Sequence, residues 1–485
     1  MPSVQKQTTL VIDQGTSSTK VFLFNLKNQI VFKSLEKHFL VNTKPGHVEA
    51  DAHAIARTCK KLIQLASKFA DQNNFTIIGL GMAFQRSTFL FWDRQSIKPL
   101  TPALSWQDSR ASNIVKEFSD FSDSIFIKTG APLNPHFGGP KFAYLTQNDP
   151  NLKMRAIQGE VVFGTISAYL THYLTGNCLI DESIASRFTL MDLVRRQWDD
   201  ELLALFETPK ACLPQLTSSV NNFGTILVNK KNIPLLVVIG DQQAALIGQG
   251  GFTTNGVAMN FGTSGSIQIN VGKKSTHVNG LISSILYSDQ KEHFYILEGT
   301  INACNSLFYQ LEKELKIPHK QMLWDDRCTM TKTEGVYVPT FSGLASPYWV
   351  DEYNLVSKGY GNNLPNEIIR AGMESIGLLV NDILSLAKSK LKDLPNNIMA
   401  SGGGARPSLL QFISDLTGIT VHRSPMKDRT ALGVHALLNK THNGTWPMIN
   451  ISHKDGYLPK MIQSERKIKI ERWNSALLEA GVKNL

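Results

Sequence analysis

Apolar runs of strand length are spread along the chain, with stretches of helical period between them. The first run, Thr8-Thr9-Leu10-Val11-Ile12, passes through Asp13-Gln14-Gly15-Thr16-Ser17-Ser18-Thr19-Lys20 into a second, Val21-Phe22-Leu23-Phe24. A glycine between two apolar runs, flanked by hydroxyl side chains, predicts a β-hairpin. Further strands are predicted at 75–82, 161–163, 235–239, 257–261, 294–297, 336–338 and 397–400. Apolar positions recurring every three or four residues predict helices over 51–71, 365–392 and 408–416. Strands alternating with helices in this way read as an α/β fold.

An internal echo extends that picture. Asp13-Gln14-Gly15-Thr16-Ser17 is matched half a chain later by Asn260-Phe261-Gly262-Thr263-Ser264, between Val257-Ala258-Met259 and Ile267-Gln268-Ile269. Two such strand–turn–strand settings predict two related halves, each opening on a phosphate-facing hairpin, with a ligand in the cleft between them. The length of 485 residues allows two or three domains.

Composition narrows the classes. With 42% hydrophobic and 19% charged residues, a disordered, collagen-like or coiled-coil chain is excluded. The longest apolar runs, such as 235–239, fall far short of the roughly 18 to 20 residues of a membrane helix. Residues 1–6 lead straight into a strand without a signal-peptide core, so a soluble cytoplasmic protein with no membrane role is expected. The net charge of +10 is scattered, with no basic block interleaved with aromatics. That argues against nucleic acid as a partner and fits the recruitment of small anions such as nucleotides. Five widely spaced cysteines without a CxxC predict buried free thiols, not a disulfide framework or a zinc site.

Three clusters carry candidate chemistry. In 13–20, a glycine turn lets backbone N–H groups approach an anion, and Thr16, Ser17 and Ser18 add hydroxyls. Asp13 beside phosphates would need a cation, which suits it to Mg²⁺; a plain polar hairpin, with Lys20 in solvent, is the other reading. Gly240-Asp241-Gln242-Gln243 follows the apolar run 235–239, where α/β proteins place their chemistry. Asp241 there reads either as a general base or as the cap of the next helix. Ser401-Gly402-Gly403-Gly404-Ala405-Arg406, at a strand-to-helix junction, permits close backbone approach to a flat or anionic group, or forms a tight turn. Arg86, just after a strand, and Trp106-Gln107-Asp108 offer the aromatic and bidentate groups that a polyhydroxyl substrate needs.

In order along the chain, these segments resemble the FGGY carbohydrate kinase family, and within it most closely its glycerol kinases. DQGTSSTK at 13–20 looks like the family's first phosphate motif. QRST at 85–88 with Trp92-Asp93, WQDSR at 106–110, HFGGPKF at 136–142 and GDQQAALIGQ at 240–249 are similar to glycerol kinase segments. FGTSG at 261–265, VPTFSGLASPYW at 338–349, GGGARPSLLQFISDLTG at 402–418 and TALG at 430–433 complete the set. The resemblance implies two actin- or hexokinase-like (ribonuclease H-like) domains, each with a central mixed sheet. These would be 1–245, holding the substrate and first phosphate motif, and 246–485, holding the nucleotide. ATP and Mg²⁺ would occupy the cleft, with a small polyol or sugar as substrate. Carried over, Asp241 would be the general base and Asp13 would position Mg²⁺. Thr16, Ser17, Ser18, Lys20, Gly262 and Thr263 would handle the phosphates, and Gly403 and Gly404 the adenosine. Arg86, Ser87, Trp106, His136, Asp241 and Gln242 would form the substrate shell. Family members are often dimers or tetramers, which makes a homo-oligomer the expectation.

Two departures bear on the substrate. Glycerol kinases carry Glu where this chain has Ser87, and Tyr where it has His136. Smaller side chains leave room for a longer polyol or a ketose, and the GGGAR version looks closer to the xylulokinase-like branch. A non-catalytic nucleotide-dependent regulator on the same fold and an actin- or chaperone-like ATPase are the remaining readings. Asp13 with Asp241 argues against the first, and Arg86 with Trp106 against the second. The segment from about 440 to 485, with Lys460, Lys467, Lys469 and Arg472, is expected to be a solvated amphipathic end.

Overall fold

The computed structural model describes residues 6–253, 255–339, 343–350, 352–392, 394–424, 427–448 and 456–483. Of the segment 338–349 singled out above, residues 340–342 lie outside the described residues. The predicted hairpin stands at the centre of a six-stranded sheet. Its first strand, Lys6–Gln14, pairs antiparallel with Ser18–Asn25 and parallel with Phe75–Phe84, which pairs parallel with Lys231–Gly240. Ile30–Lys37 and Thr225–Val228 form the two edges. The apolar runs are continuous because both faces are covered. Leu10 and Ile12 join the core under the helix Ala52–Gln72, while Val11 joins a second core under the helix Arg429–Asn443. Asp51 caps the first of these helices by accepting the Ala54 N–H at 2.9 Å.

The second half repeats this arrangement. Val257–Phe261 pairs antiparallel with Gly265–Gly272 and parallel with Asn397–Ser401, which pairs parallel with Thr420–Arg423. His293–Ile301 and Ile282–Ser288 extend one side of the seven-stranded sheet and Gly456–Tyr457 the other. The sequence echo is therefore a repeat of topology: a hairpin whose first strand lies beside two parallel strands. The helices predicted at 365–392 and 408–416 run over Leu364–Lys388 and Pro407–Thr417. A smaller sheet, ordered Val41–Lys44, His47–Ala50, Ala103–Leu104, Phe89–Asp93, Val161–Thr165, shares the first core.

The halves meet where the helices Asp241–Gly248 and Arg429–Asn443 cross. A Cβ on Gly248 would lie 2.0 Å from the Arg429 carbonyl oxygen, and one on Gly433 only 1.8 Å from that of Ala244. Backbone touches backbone there, and only glycine fits.

The tail is mostly solvated and amphipathic, as expected, and one buried face anchors it. The helix Gln463–Glu479 packs on the second half with Trp473 fully buried and Ala476 and Leu477 beside it. The Trp473 indole donates to Asp382 at 2.8 Å, and Lys469 pairs with Glu374 at 2.7 Å. Three apolar residues within one turn outweigh the surrounding charge. The cysteines are free, four buried and Cys178 half-buried. Among the described residues, no helix is long and apolar enough to cross a membrane.

Candidate active site

Gln14, Phe84 and Gly240 are Cα partners in register across three parallel strands. Gly15, Arg86 and Asp241, which follow them, therefore emerge along one sheet edge, the carboxyl end where open α/β sheets bind ligands. In the second sheet Asn260 is the partner of Ser401, which puts Gly262 and Gly402–Gly404 on the corresponding edge. A surface hollow of about 1090 Å³ lined by Tyr348, Asn396 and Thr420 lies instead at the amino ends of the second sheet's parallel strands and holds none of the motif residues.

Each hairpin closes on its glycine, with loops of different length: Gly15 N–H donates to the Ser18 carbonyl and Gly262 N–H to that of Ser264, both at 2.9 Å. The Gly262 and Thr263 carbonyls accept the first N–H groups around the start of the helix Asn305–Glu314. Gly404 N–H donates to the Phe261 carbonyl at 2.8 Å, and Gly402 has φ 93° with no room for a Cβ, which would sit 2.2 Å from that same oxygen. The glycine-rich loop thus lies directly on the second hairpin, and a Cβ on Gly403 would meet only Asn305 Nδ2, at 3.9 Å. No hydrogen bond among the described residues joins the loop 13–20 to Gly262 or Thr263.

Lys20 does not point to solvent. Its ammonium donates to the mostly buried Asp13 carboxylate at 3.1 Å and lies 3.9 Å from Asp428. Burial works to lower the Lys20 pKa, yet the Asp13 charge and hydrogen bond hold it above the ordinary lysine value. Thr16 accepts the Trp106 indole N–H at 2.9 Å, while Ser17 is exposed and Ser18 half-buried.

Asp241 begins its helix, but Gly240 is the cap residue, so the capping reading does not hold. One Asp241 oxygen accepts the Gln242 N–H at 2.8 Å and lies 3.7 Å from Arg86 Nε. Burial pushes its carboxyl up to about 6; Arg86 opposes the shift and the Asp13 charge adds to it. Asp13 and Asp241 are thus close enough to interact, and the Asp241 carboxyl is held above the ordinary carboxylate range. The Gln242 side-chain oxygen accepts from Ser266 at 3.2 Å and Gln268 at 3.1 Å, both in the second sheet.

Sequence reasoning missed the other half of the Arg86 environment. Both terminal nitrogens of Arg86 donate to Glu298, at 2.6 and 2.7 Å, and Arg187 donates to the same carboxylate at 2.9 Å. Glu298 belongs to the strand His293–Ile301 of the opposite half. Burial pushes its pKa up, but the two arginines hold it down at about 2. A charge directly after the apolar run 294–297 was its only signal.

The remaining expected residues stand on connected loops. Ser87, buried, has φ 61°, a left-handed conformation that costs a side-chain-bearing residue roughly 1 to 2 kcal/mol. Trp106 is 39% exposed and follows the short strand Ala103–Leu104. His136 Nδ1 lies 3.2 Å from the Asp108 carbonyl, just before the helix Gly138–Asn148. That helix carries Lys141, fully buried, whose ammonium donates to the carbonyls of Ser105 (2.7 Å), Ser87 (2.9 Å) and Leu104 (3.4 Å). Burial lowers the Lys141 pKa to about 7, with Asp108 opposing and Arg110 adding. Among the described residues, no group of three or more His, Cys, Asp or Glu side chains could hold a metal by itself.

Known proteins share this architecture. The family model for the N-terminal domain of the FGGY family of carbohydrate kinases matches residues 8–248, and that for the C-terminal domain matches 257–440. Glycerol kinase 1 of Thermotoga maritima is 32% identical, over 96% of this chain and 98% of its own. Among solved structures, Plasmodium falciparum glycerol kinase with ADP superposes with a TM-score of 0.91 at 31% identity, over 99% of both chains. A xylulose kinase from Lactobacillus acidophilus reaches 0.85 at 20% identity, over 98% of this chain and 99% of that one, a likeness of fold.

Proposed function

The chain belongs to the FGGY family of carbohydrate kinases, and from that premise we propose that it transfers the γ-phosphoryl group of ATP to a hydroxyl of a small polyol, glycerol-like in size. The observation that carries the reading is Asp241: a carboxylate held near pKa 6 at the carboxyl end of a parallel strand, between Arg86 and the charge of Asp13. A base titrating near working pH combines the right protonation state with driving force for proton transfer, typically about 10²–10⁴ in rate. Asp241 takes the proton of the acceptor hydroxyl as the phosphoryl group arrives. Arg86, Ser87, Trp106, His136 and Gln242 form the acceptor wall in residues 1–245. Residues 246–485 contribute Gly262 and Thr263 to the phosphates and Gly403 and Gly404 to the adenosine. Thr16, Ser17, Ser18 and Lys20 face the phosphates from the first half.

Mg²⁺ commonly binds through one or two carboxylates together with substrate phosphates and water, so the single Asp13 carboxylate at the hairpin fits it without a dedicated cage. When bound, the ion would neutralise the charge that develops on the transferred phosphoryl oxygens. Lys20 balances Asp13 within the chain itself. Positioning accounts for most of the remaining rate.

A second reading, a pentulose acceptor, is favoured by the polar wall that Ser266 and Gln268 present to Gln242 and by Ser87 in place of a carboxylate. The test is ADP release by the purified protein with Mg-ATP across glycerol, longer polyols, ketoses and sugar acids. Strong turnover with glycerol supports the first reading, and turnover confined to a pentulose supports the second. Silence across the panel with ATP still bound would overturn both in favour of a nucleotide-dependent regulator. Assembly as a dimer or tetramer is part of the proposal, to be read by light scattering.

A further inference from the structure

We infer that Lys141 is the positioning residue that locks the Arg86–Ser87 loop and the Ser105–Trp106 loop into a single acceptor-binding wall. The inference rests on the reading that those loops line the acceptor pocket. Lys141 is 0% exposed, and its three N–H donors are directed at three backbone carbonyls. Those carbonyls are not scattered through the core. One belongs to Ser87, next to Arg86, and two to Leu104 and Ser105, immediately before Trp106. A core position alone would be filled more favourably by Leu or Met, because a buried ammonium loses its hydration and regains only what its partners return. Ser87 also needs an external restraint. Its left-handed backbone, φ 61°, relaxes unless the surroundings over-determine it, and its carbonyl is where Lys141 holds it. The stem is fixed in turn: the Lys141 ammonium sits over the Phe89 ring at 5.6 Å, and its helix starts two residues after His136, the third part of the wall.

Lys141→Met keeps the length of the side chain and removes every donor. A small displacement is enough, since a misplacement of about 1 Å at a reacting pair can cost roughly 10²-fold. The expected result is an acceptor KM raised by roughly tenfold or more, with the KM for ATP within about twofold of the parent. Phe142→Leu, one residue on in the same buried helix, serves as the structural control: it lowers the melting temperature and leaves the acceptor KM in place. Where the methionine variant shows no cooperative thermal transition, Lys141→Leu, which also lacks every donor, is read in the same way. A parental acceptor KM in a folded Lys141 variant overturns the inference. Arg86→Ala separates this from failure of the underlying reading, because an unchanged acceptor KM in that variant removes the pocket assignment itself.

Discussion

Replacing Asp241 by Asn preserves shape and removes both the charge and the base, so activity and stability should move in opposite directions. The carboxyl is raised from 3.8 to about 6. At about 1.4 kcal/mol per unit, ionising it in the folded protein costs on the order of 3 kcal/mol relative to the unfolded chain. A quarter of the side chain is still exposed, and Arg86 at 3.7 Å loses its partner in the variant, so we expect a net gain of about 1 kcal/mol. For a chain of 485 residues that is a rise of only about 1 °C in melting temperature, so denaturant unfolding is the more sensitive measure of it. The sign follows from linkage: a carboxyl with a raised folded pKa contributes stability below its unfolded value and loses it as pH rises through about 6. The advantage of the variant should therefore be absent near pH 4 and fully open by pH 7 to 8. Denaturant unfolding across that range without nucleotide reads this term, and ADP release with acceptor reads the other, expected to fall at least about a hundredfold. In the parent, acceptor kcat/KM should decline as pH drops through about 6. A variant no more stable at pH 8 than the parent would refute the electrostatic argument, and unchanged turnover would refute the base.

Glu298→Ala leaves Arg86 and Arg187 buried without their carboxylate, and chemical denaturation should show a loss of roughly 3 to 5 kcal/mol; a loss under about 1 kcal/mol would mean the triad contributes little. Gly433→Ala drives a methyl against the Ala244 carbonyl and should destabilise by roughly 1 to 3 kcal/mol, measured the same way, with an unaltered melting curve counting against the close crossing. Ser87→Glu combined with His136→Tyr should shift preference toward glycerol over larger polyols. One charged hydrogen bond contributes roughly 1.5 to 3 kcal/mol, so a tenfold change in relative kcat/KM is the scale to look for. No change would place specificity elsewhere in the pocket.

The fold was legible wherever local pattern decides structure. The strand Val257–Phe261 has the predicted bounds, and the helix predicted over 51–71 runs over Ala52–Gln72 with Asp51 as its cap. The two hairpins and the place of Asp241 at a strand end were legible for a related reason: each is a turn or strand end marked by local residue types. What stayed hidden is everything that depends on distant segments meeting. Glu298 finds Arg86 across 212 positions, and Lys141 reaches Ser87 across 54. Neither pairing leaves a periodic trace. The anchoring of the tail was not legible because the few residues of its buried face, Trp473 above all, are interspersed with charged ones.

The crossing at Gly248 and Gly433 is reciprocal in detail. Each glycine meets the carbonyl four residues before the other, Arg429 for Gly248 and Ala244 for Gly433. Contacts of this form are isologous, the kind a C2 dimer makes between identical subunits. In a true dimer any change in one copy is forced on both. Here one polypeptide carries both halves, and they differ: where the first hairpin has Asp13, the equivalent place in the second is Asn260. A pair of aspartates at both places would make the two hairpins alike in charge. With an amide in the second position, the molecule keeps one acidic hairpin and one neutral one, and a dyad that would otherwise build two equal half-sites builds a single directional one.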